Sequence, residues 1–259
     1  MIRLVRALRR KPGMSRAEFL HYWQYIHGPL VAQYAGVLNI KRYFQLHTLD
    51  DPINDGLARD RGGMELPYDG IADVWWMTRD DMTSGFATPE GQAAGALFLE
   101  DEKRFLDIPN SALWFSYEYP QVNPSEYIIA REHGPLVKMY YCLRHHAHQN
   151  LDAAQLYWRT NHGPLIRSVA EGMRVKRYLQ VHYYADPVEQ QMRDARGTIV
   201  PPYTGHAELW FEHSDLVNFA SIPEAKRAMT LAIEDEAKFI DFQRSAMWLG
   251  KEHVIIDQR

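Results

Sequence analysis

The chain carries two copies of one series of motifs, displaced by 135 residues. His27-Gly28-Pro29-Leu30 returns as His162-Gly163-Pro164-Leu165, and Lys41-Arg42-Tyr43-Phe44-Gln45-Leu46-His47 returns as Lys176-Arg177-Tyr178-Leu179-Gln180-Val181-His182. A later block, Glu100-Asp101-Glu102 through Trp114, returns as Glu234-Asp235-Glu236 through Trp248 with a displacement of 134. Solenoid repeats have periods of roughly 20 to 50 residues, whereas each copy here is long enough to bury its own core. The sequence therefore predicts a duplicated domain, with residues 1–120 and 138–259 as the two domains and 121–137 as the linker.

Composition narrows the classes of partner. With 46% hydrophobic and 24% charged residues, the chain has the composition of a globular protein. A formal net charge of −4 argues against a general nucleic-acid or anionic-membrane surface, because both need clustered Lys and Arg. Cys142 is the single cysteine, and neither a secretory signal nor a run of about eighteen apolar residues is present. We expect a cytoplasmic protein without a disulfide and without a membrane span.

The first helix of each half is predicted from capping and periodicity. Ser15 and Glu18 form a capping box, and aromatic residues recur after it at three- and four-residue spacing. We expect Gly28-Pro29 to end this helix. His27 would then lie at a helix C-terminus, where the helix dipole favours the protonated imidazole.

The remaining elements of the first half follow the order β-α-β-β-α-β. Strand patterns cover residues 3–8, 41–47, 72–77 and 111–117, and a second helix begins at Thr88-Pro89 and runs through Phe105. The second half repeats this order, with strands near 139–144, 176–182, 206–212 and 246–251 and helices near 152–162 and 223–242. This is the ferredoxin-like order, which leaves one sheet face bare. We predict an α+β fold in which the two halves cover each other's bare faces as an intrachain dimeric α/β barrel.

Several motifs resemble the EthD family of the dimeric α/β-barrel superfamily. They are Arg10 through Phe19, Tyr22-Trp23, His27 to Leu30, Tyr43 to His47 and Tyr68 to Trp76, with second copies at Tyr157-Trp158, His162 to Leu165, Tyr178 to His182 and Tyr203 to Phe211. In the second copy His146-Ala147-His148 replaces the Lys-Pro-Gly turn. The resemblance implies a superfamily that includes cofactor-free monooxygenases, polyketide cyclases, decarboxylases, dehydratases, isomerases and haem enzymes. Function must therefore be argued from the site.

The candidate catalytic residues are acid–base groups that occur in both copies. We expect His47 and Asp73 to share one face of neighbouring strands, and His182 and Glu208 to repeat that pair, because a carboxylate can orient an imidazole for proton transfer. His27 and His162 are further candidates, with a helix-capping role as the alternative. The other interpretation of all these polar groups is that they only satisfy one another.

Aromatic and amide side chains complete the predicted pocket. Tyr43, Gln45, Tyr178 and Gln180 share the face of the histidines and offer hydrogen bonds to a developing oxyanion. Trp75, Trp210, Tyr22 and Tyr157 would make the pocket aromatic, although ordinary core residues have the same pattern. The long connections 47–67 and 182–202 are predicted to be lids over the pocket. His145, His146 and His148 have no carboxylate or cysteine at ligand spacing, so we expect no metal and no cofactor.

The leading functional hypothesis is a cofactor-free lyase that acts on an aromatic or polyketide-like small molecule by decarboxylation, dehydration or retro-aldol cleavage. The alternatives are a monooxygenase, cofactor-free or haem-dependent, and a non-catalytic protein that binds a small aromatic compound. We expect a small-molecule aromatic substrate and neither a nucleic-acid nor a membrane partner, and a homodimer of the tandem chain stays open.

Overall fold

The computed structural model describes residues 1–258 as eight strands surrounded by helices. The strands are β1 Ile2–Leu8, β2 Arg42–Thr48, β3 Gly70–Trp76, β4 Ala112–Val122, β5 Leu136–Leu143, β6 Arg177–Tyr184, β7 Gly205–Glu212 and β8 Ala246–Asp257. The α-helices are α1 Arg16–Tyr22, α2 Gly28–Gln33, α3 Ile53–Arg59, α4 Arg79–Ala87, α5 Pro89–Phe105, α6 Leu151–Tyr157, α7 Gly163–Val169, α8 Pro187–Arg196, α9 His213–Val217 and α10 Pro223–Glu236. Among these described residues, no helix combines the length and the apolarity that crossing a bilayer requires.

The eight strands close into one barrel in the order β1-β3-β2-β8-β5-β7-β6-β4. Each half supplies four antiparallel strands, and the halves join where β2 pairs with β8 and β4 pairs with β6. The predicted ferredoxin-like halves and the intrachain barrel are confirmed. The structure adds α4 and α9, which the sequence patterns did not predict, and it ends α10 at Glu236 instead of near residue 242.

The two faces of the closed sheet contact different layers. Val5 points into the barrel and packs with Trp114, whereas its neighbour Leu4 points outward to Phe19 and Trp23 of the first helical layer. This alternation follows from the two-residue period of a strand. Side chains are expected to fill the interior of an eight-stranded barrel. A space for a ligand is therefore expected on the helix side.

A buried charge network joins the two sheets inside the barrel. Arg3 of the first half binds Asp73, with Nη2 2.6 Å from Oδ2, and also contacts Glu208 of the second half. Lys138 lies 2.8 Å from Glu208 and 3.2 Å from Glu252. Although burial acts to raise it, Arg3 and Lys138 hold the pKa of Glu208 well below its usual range. The network connects the two halves through ion pairs that water does not reach.

The first helix of each half continues past Gly28-Pro29, so the predicted helix end is wrong. The α1 segment leads into a π turn, Trp23–His27, and then into α2. Pro29 has no N–H and its ring crowds the carbonyl of the fourth residue before it. The chain accommodates Pro29 by widening, because the Gly28 N–H bonds to the Trp23 carbonyl, five residues back. His27 therefore lies inside a continuous helix, and the argument from a C-terminal dipole does not apply to it.

The long connections between the second and third strands of each half contain helices and reach across to the other half. Leu57 of α3 packs into the core of the second half. Val188 and Met192 of α8 pack against the core of the first half. The predicted lids are thus covers, but each one lies over the opposite half.

Replacing Arg3 with Met should destabilise the protein by about 3–5 kcal/mol, because it leaves buried carboxylates without their partner. The free energy of unfolding in urea measures this loss. The control is Arg227→Ala, which removes an exposed ion pair with Glu224 and should leave the value near that of the wild type. An Arg3→Met protein as stable as the control would show that the network does not support the barrel.

Candidate active site

The first half contains a cavity of about 440 Å³ between the sheet and its helices. Its walls are mostly apolar and include Leu4 of β1, Trp76 of β3, Phe98 of α5 and Met192 of α8. A volume in this range fits a small organic ligand. The sequence left open which face of the sheet holds the pocket, although the position of His27 on a helix favoured the helix side, and the cavity lies there.

The equivalent space in the second half measures only about 30 Å³. One filling change is on the second long helix, where Met229 occupies the position of Gly95. On the first strand, Tyr141 stands where the first half has Arg6. The two copies share a fold, but only the first one offers space for a small-molecule ligand at this position.

His27 lines the cavity and is held by a carboxylate. Its Nδ1 lies 2.8 Å from Oδ2 of Asp101, and the Tyr22 hydroxyl donates to the other oxygen of Asp101 at 2.7 Å. The hydrogen bond from His27 lowers the pKa of Asp101, so the carboxylate is ionised and accepts the Nδ1 proton. In the neutral ring, Nε2 then carries the lone pair and is the nitrogen left for a ligand.

The second half repeats this arrangement beside its filled space. His162 Nδ1 lies 2.9 Å from Asp235, and the Tyr157 hydroxyl donates to the same carboxylate at 2.7 Å. Tyr22 and Tyr157 therefore support the aspartates. The predicted contact of both tyrosines with substrate is not seen, because neither lines the cavity of its half.

Tyr43 also lines the cavity, and two neighbouring donors hold its hydroxyl oxygen. Its oxygen accepts hydrogen bonds from Trp23 Nε1 at 3.0 Å and from Gln45 Nε2 at 2.9 Å. Burial raises the pKa of Tyr43, so the phenol stays protonated at neutral pH. Because both bonds use the oxygen as acceptor, the hydroxyl proton is left to be donated to a ligand.

His47 orients Gln45, which in turn bonds to the Tyr43 hydroxyl, and His47 itself does not line the cavity. Its Nε2 lies 3.0 Å from Gln45 Oε1, and its ring stacks on Trp23 and on His253. Burial, with His253 nearby, lowers the pKa of His47 to about 2, so the ring is neutral and donates from Nε2. Gln45 must then point its amide N–H groups at Tyr43 and at the Trp23 carbonyl.

The second half contains the same chain of hydrogen bonds. His182 Nε2 lies 3.2 Å from Gln180 Oε1, and Gln180 Nε2 donates to the Tyr178 oxygen at 3.2 Å. Burial lowers the pKa of His182 to about 3. His182, like His47, is therefore a neutral packing group beneath a tryptophan, here Trp158.

The predicted pairs His47–Asp73 and His182–Glu208 are wrong in geometry. In the β2–β3 register Asp73 stands opposite Phe44, so it shares the barrel face, whereas His47 points to the helices. Glu208 likewise stands opposite Leu179. The two carboxylates belong to the barrel network and do not orient the histidines.

Trp75 and Trp210 also point into the barrel, so the prediction that they line the pocket is wrong. The Trp75 indole donates to Glu118 at 3.1 Å, and the Trp210 indole donates to Glu252 at 2.8 Å. Both rings stack under cations of the network, Arg3 and Lys138. Their role is to pack and solvate the buried charges.

A buried carboxylate with two arginines lies at the edge of the cavity. Arg6 of β1 donates to Glu102 of α5, with Nη2 2.9 Å from Oε2, and Arg196 at the end of α8 places Nε 3.2 Å from the same oxygen. Burial acts to raise the pKa of Glu102, but Arg196 and Arg6 outweigh it and lower that pKa to about 2. In the second half, Arg61 binds the equivalent Glu236 at 2.7 and 3.1 Å.

Sequence reasoning missed Asp101, Glu102, Arg6 and Arg196 as site residues. Asp101 and Glu102 belong to a block that recurs in the second half, and Arg196 recurs as Arg61, so the repeat itself carried a signal. Arg6 carried no such signal, because Tyr141 occupies its position in the second half.

Replacing Gly95 with Met should abolish ligand binding in the first half. The substitution introduces the side chain that Met229 places in the equivalent space of the second half. A Cβ at Gly95 meets its nearest atom, Phe86 Cε1, at 3.6 Å, so the backbone tolerates a side chain there. Helix propensity improves by about 1 kcal/mol, so the melting temperature should not fall. Fluorescence titration with naphthol measures binding. The control is Gly36→Ala, at a position where a Cβ meets nothing within 4 Å, and this variant should bind as the wild type does. Unchanged binding by Gly95→Met would place the ligand elsewhere.

Solved structures of other proteins share the fold of this chain. No protein among the curated ones matches the chain. A solved structure of an anthrone oxidase-like protein aligns over 100% of this chain and 94% of its own, with 10% identity and a TM-score of 0.53. A dye-decolorizing peroxidase from Bacteroides thetaiotaomicron aligns over 96% of this chain and 92% of its own, with 7% identity and a TM-score of 0.49. Likeness at such identities shows the fold alone.

The family model described as the EthD domain matches residues 11–109 and again residues 146–243. These two segments make up most of the chain and fall one in each half. The resemblance seen in the sequence motifs is therefore confirmed, and the chain belongs to the EthD-domain family as a tandem pair.

Proposed function

We propose that the first-half cavity is the active site of a cofactor-free enzyme that removes a proton from an apolar, aromatic or polyketide-like ketone or phenol. One observation carries the proposal. His27, with its imidazole held by Asp101, and Tyr43, with a hydroxyl oxygen that already accepts two hydrogen bonds, line the same largely apolar cavity. These are the base and the oxyanion donor that enolate chemistry needs.

The proposed step begins when His27 Nε2 takes a proton from the carbon beside a carbonyl group. The C–H electron pair moves into the C–C bond, and the carbonyl oxygen becomes an enolate oxygen. Asp101 stabilises the imidazolium that forms, and Tyr43 donates its hydrogen bond to the enolate oxygen. The apolar walls strengthen both interactions, because they keep the local dielectric low.

The favoured fate of the enolate is that of a lyase. An enolate expels a β-hydroxyl group, which takes the proton held by His27 and leaves as water. The same site accepts the enolate that forms when a β-keto carboxylate loses carbon dioxide. In the second case the electron pair of the broken C–C bond forms the enolate, and His27, protonated from solvent, supplies a proton to carbon. The role in proton transfer predicted for His47 and His182 has no support from their position, so we assign it to His27.

Oxygenation is the alternative fate. A resonance-stabilised carbanion of a polycyclic ketone reacts with dioxygen, and the anthrone oxidase-like protein that shares this fold is named for such a substrate type. Both fates share the first step, so the first test addresses proton abstraction.

Replacing His27 with Ala should slow α-proton exchange of β-tetralone in heavy water by about 10²–10⁴-fold, because the general base is lost. Proton NMR of the ketone measures the exchange. His162→Ala is the matched control and should retain the wild-type rate, because its half has no room for the ketone. Equal loss in both variants would contradict the assignment to the first half.

Further readouts separate the functions. Carbon dioxide released from a β-keto acid of the tetralone series supports a lyase, and oxygen consumed with the ketone supports an oxygenase. Binding of the ketone without exchange or product over long incubation would support a non-catalytic binding protein and overturn the proposal.

Replacing Tyr43 with Phe should lower kcat for exchange by about 10²–10³-fold with little change in KM, because the lost hydrogen bond forms fully only with the enolate. Tyr178→Phe removes the equivalent hydroxyl of the second half and should leave kcat unchanged. Circular dichroism checks that both variants fold. A rise in KM alone would mean that Tyr43 only binds the ground state.

A further inference from the structure

The two halves differ in how many arginines surround one buried glutamate. Among the residues that the structure describes, Arg61 is the one cation paired with Glu236 in the second half. Glu102 in the first half is bound by both Arg6 and Arg196. The second half thus demonstrates that one guanidinium is enough to hold this carboxylate in the fold.

The second arginine gives the first-half cavity a surplus positive charge. Arg6, Arg196 and Glu102 are the charged residues among its walls, and His27 faces it as an imidazole. Beside the cavity, Asp101 is met by Arg104 at 4.0 Å, and Asp186 at the start of α8 is paired with Arg79 at 2.5 Å. Neither of these carboxylates cancels the surplus, because each has a cation of its own.

Both guanidinium groups have hydrogen-bonding capacity left for a ligand. A guanidinium carries five N–H donors, and Arg6 directs its two terminal nitrogens at Glu102. Arg196 directs Nε and Nη2 at the same carboxylate, and its Nη1 donates one hydrogen bond to the Met192 carbonyl at 3.5 Å. The remaining N–H groups are suited to the two oxygens of a carboxylate.

We propose that the first-half cavity selects an apolar ligand with a single negative charge, a carboxylate whose oxygens lie against Arg6 and Arg196. This inference deepens the proposed function by naming the substrate class, and it rests on that function for the identity of the site. The apolar walls receive the ring system, and the surplus charge receives the acid group.

The selecting charge comes from the opposite half of the chain. Arg196 is the last residue of α8, which Gly197 ends with a left-handed backbone at φ 65°. This turn stops the helix with the Arg196 side chain directed at Glu102. The second half thus completes a site in the first half, although its own equivalent space is filled.

The test compares β-naphthoate with its neutral methyl ester by isothermal titration calorimetry on the full chain. The wild type should bind the acid at least about tenfold more tightly than the ester. Arg196→Gln should remove that preference, since Glu102 keeps Arg6 and the charge count then equals that of the second half. Arg196→Lys should retain the preference, because it keeps the charge.

Arg6→Gln offers a second route, since Glu102 then keeps Arg196, and it too should remove the preference. Thermal unfolding shows which of the variants are folded. A wild type that binds the ester as tightly as the acid, or folded Gln variants that keep the preference, would overturn the proposal. His27→Ala should lose proton exchange and still prefer the acid, so failure of the charge selection and failure of the proposed chemistry are distinguishable.

Discussion

Closure of the two sheets into one barrel is the constraint on which the rest of the molecule depends. The pairings β2–β8 and β4–β6 leave no free sheet edge, and the network of Arg3, Asp73 and Glu208 crosses between the halves. Because the interior is occupied by these charges and by large aromatic rings, the cavity lies outside the barrel, under the helices. The position of the candidate site is therefore a consequence of how the barrel closes.

The duplicated halves share one hydrogen-bonded frame and differ in side chains that line the space beside it. The pairs His27–Asp101 and His162–Asp235 have the same geometry, and so have the chains of hydrogen bonds that end at Tyr43 and Tyr178. The halves differ in the volume of the space between sheet and helices and in the charge of the residues that line it. The frame is kept in both halves because it also fixes the helix against the sheet through the Trp23 and Trp158 carbonyls.

The sequence was sufficient for the order of elements and for the faces within one strand. It placed Tyr43, Gln45 and His47 together, as the structure does, because side chains alternate along a strand. It failed on the relation between strands, since the connection from β2 to β3 is too long to set their register through a tight turn. A shift of one residue moves Asp73 from the face of His47 to the face of Phe44.

Local sequence patterns could not predict the contacts between the two halves. Arg196 and Glu102 are distant in the chain, and only the folded barrel brings α8 over the first half. The π turn was missed for another reason. Proline after glycine is typical of a helix end, whereas here the Trp23 carbonyl accepts from the Gly28 N–H and also from Gln45 of the distant strand β2.

Each connection between the second and third strands covers the opposite half, so its sequence must fit residues of that half. The second half has little ligand space of its own, yet its α8 supplies walls to the cavity of the first half. The segment after β6 is thereby constrained by the first half, whereas the residues that fill the second space are constrained by packing alone. We expect relatives to vary at Met229 and Tyr141 far more than at Arg196, so that a single copy evolves under two different regimes.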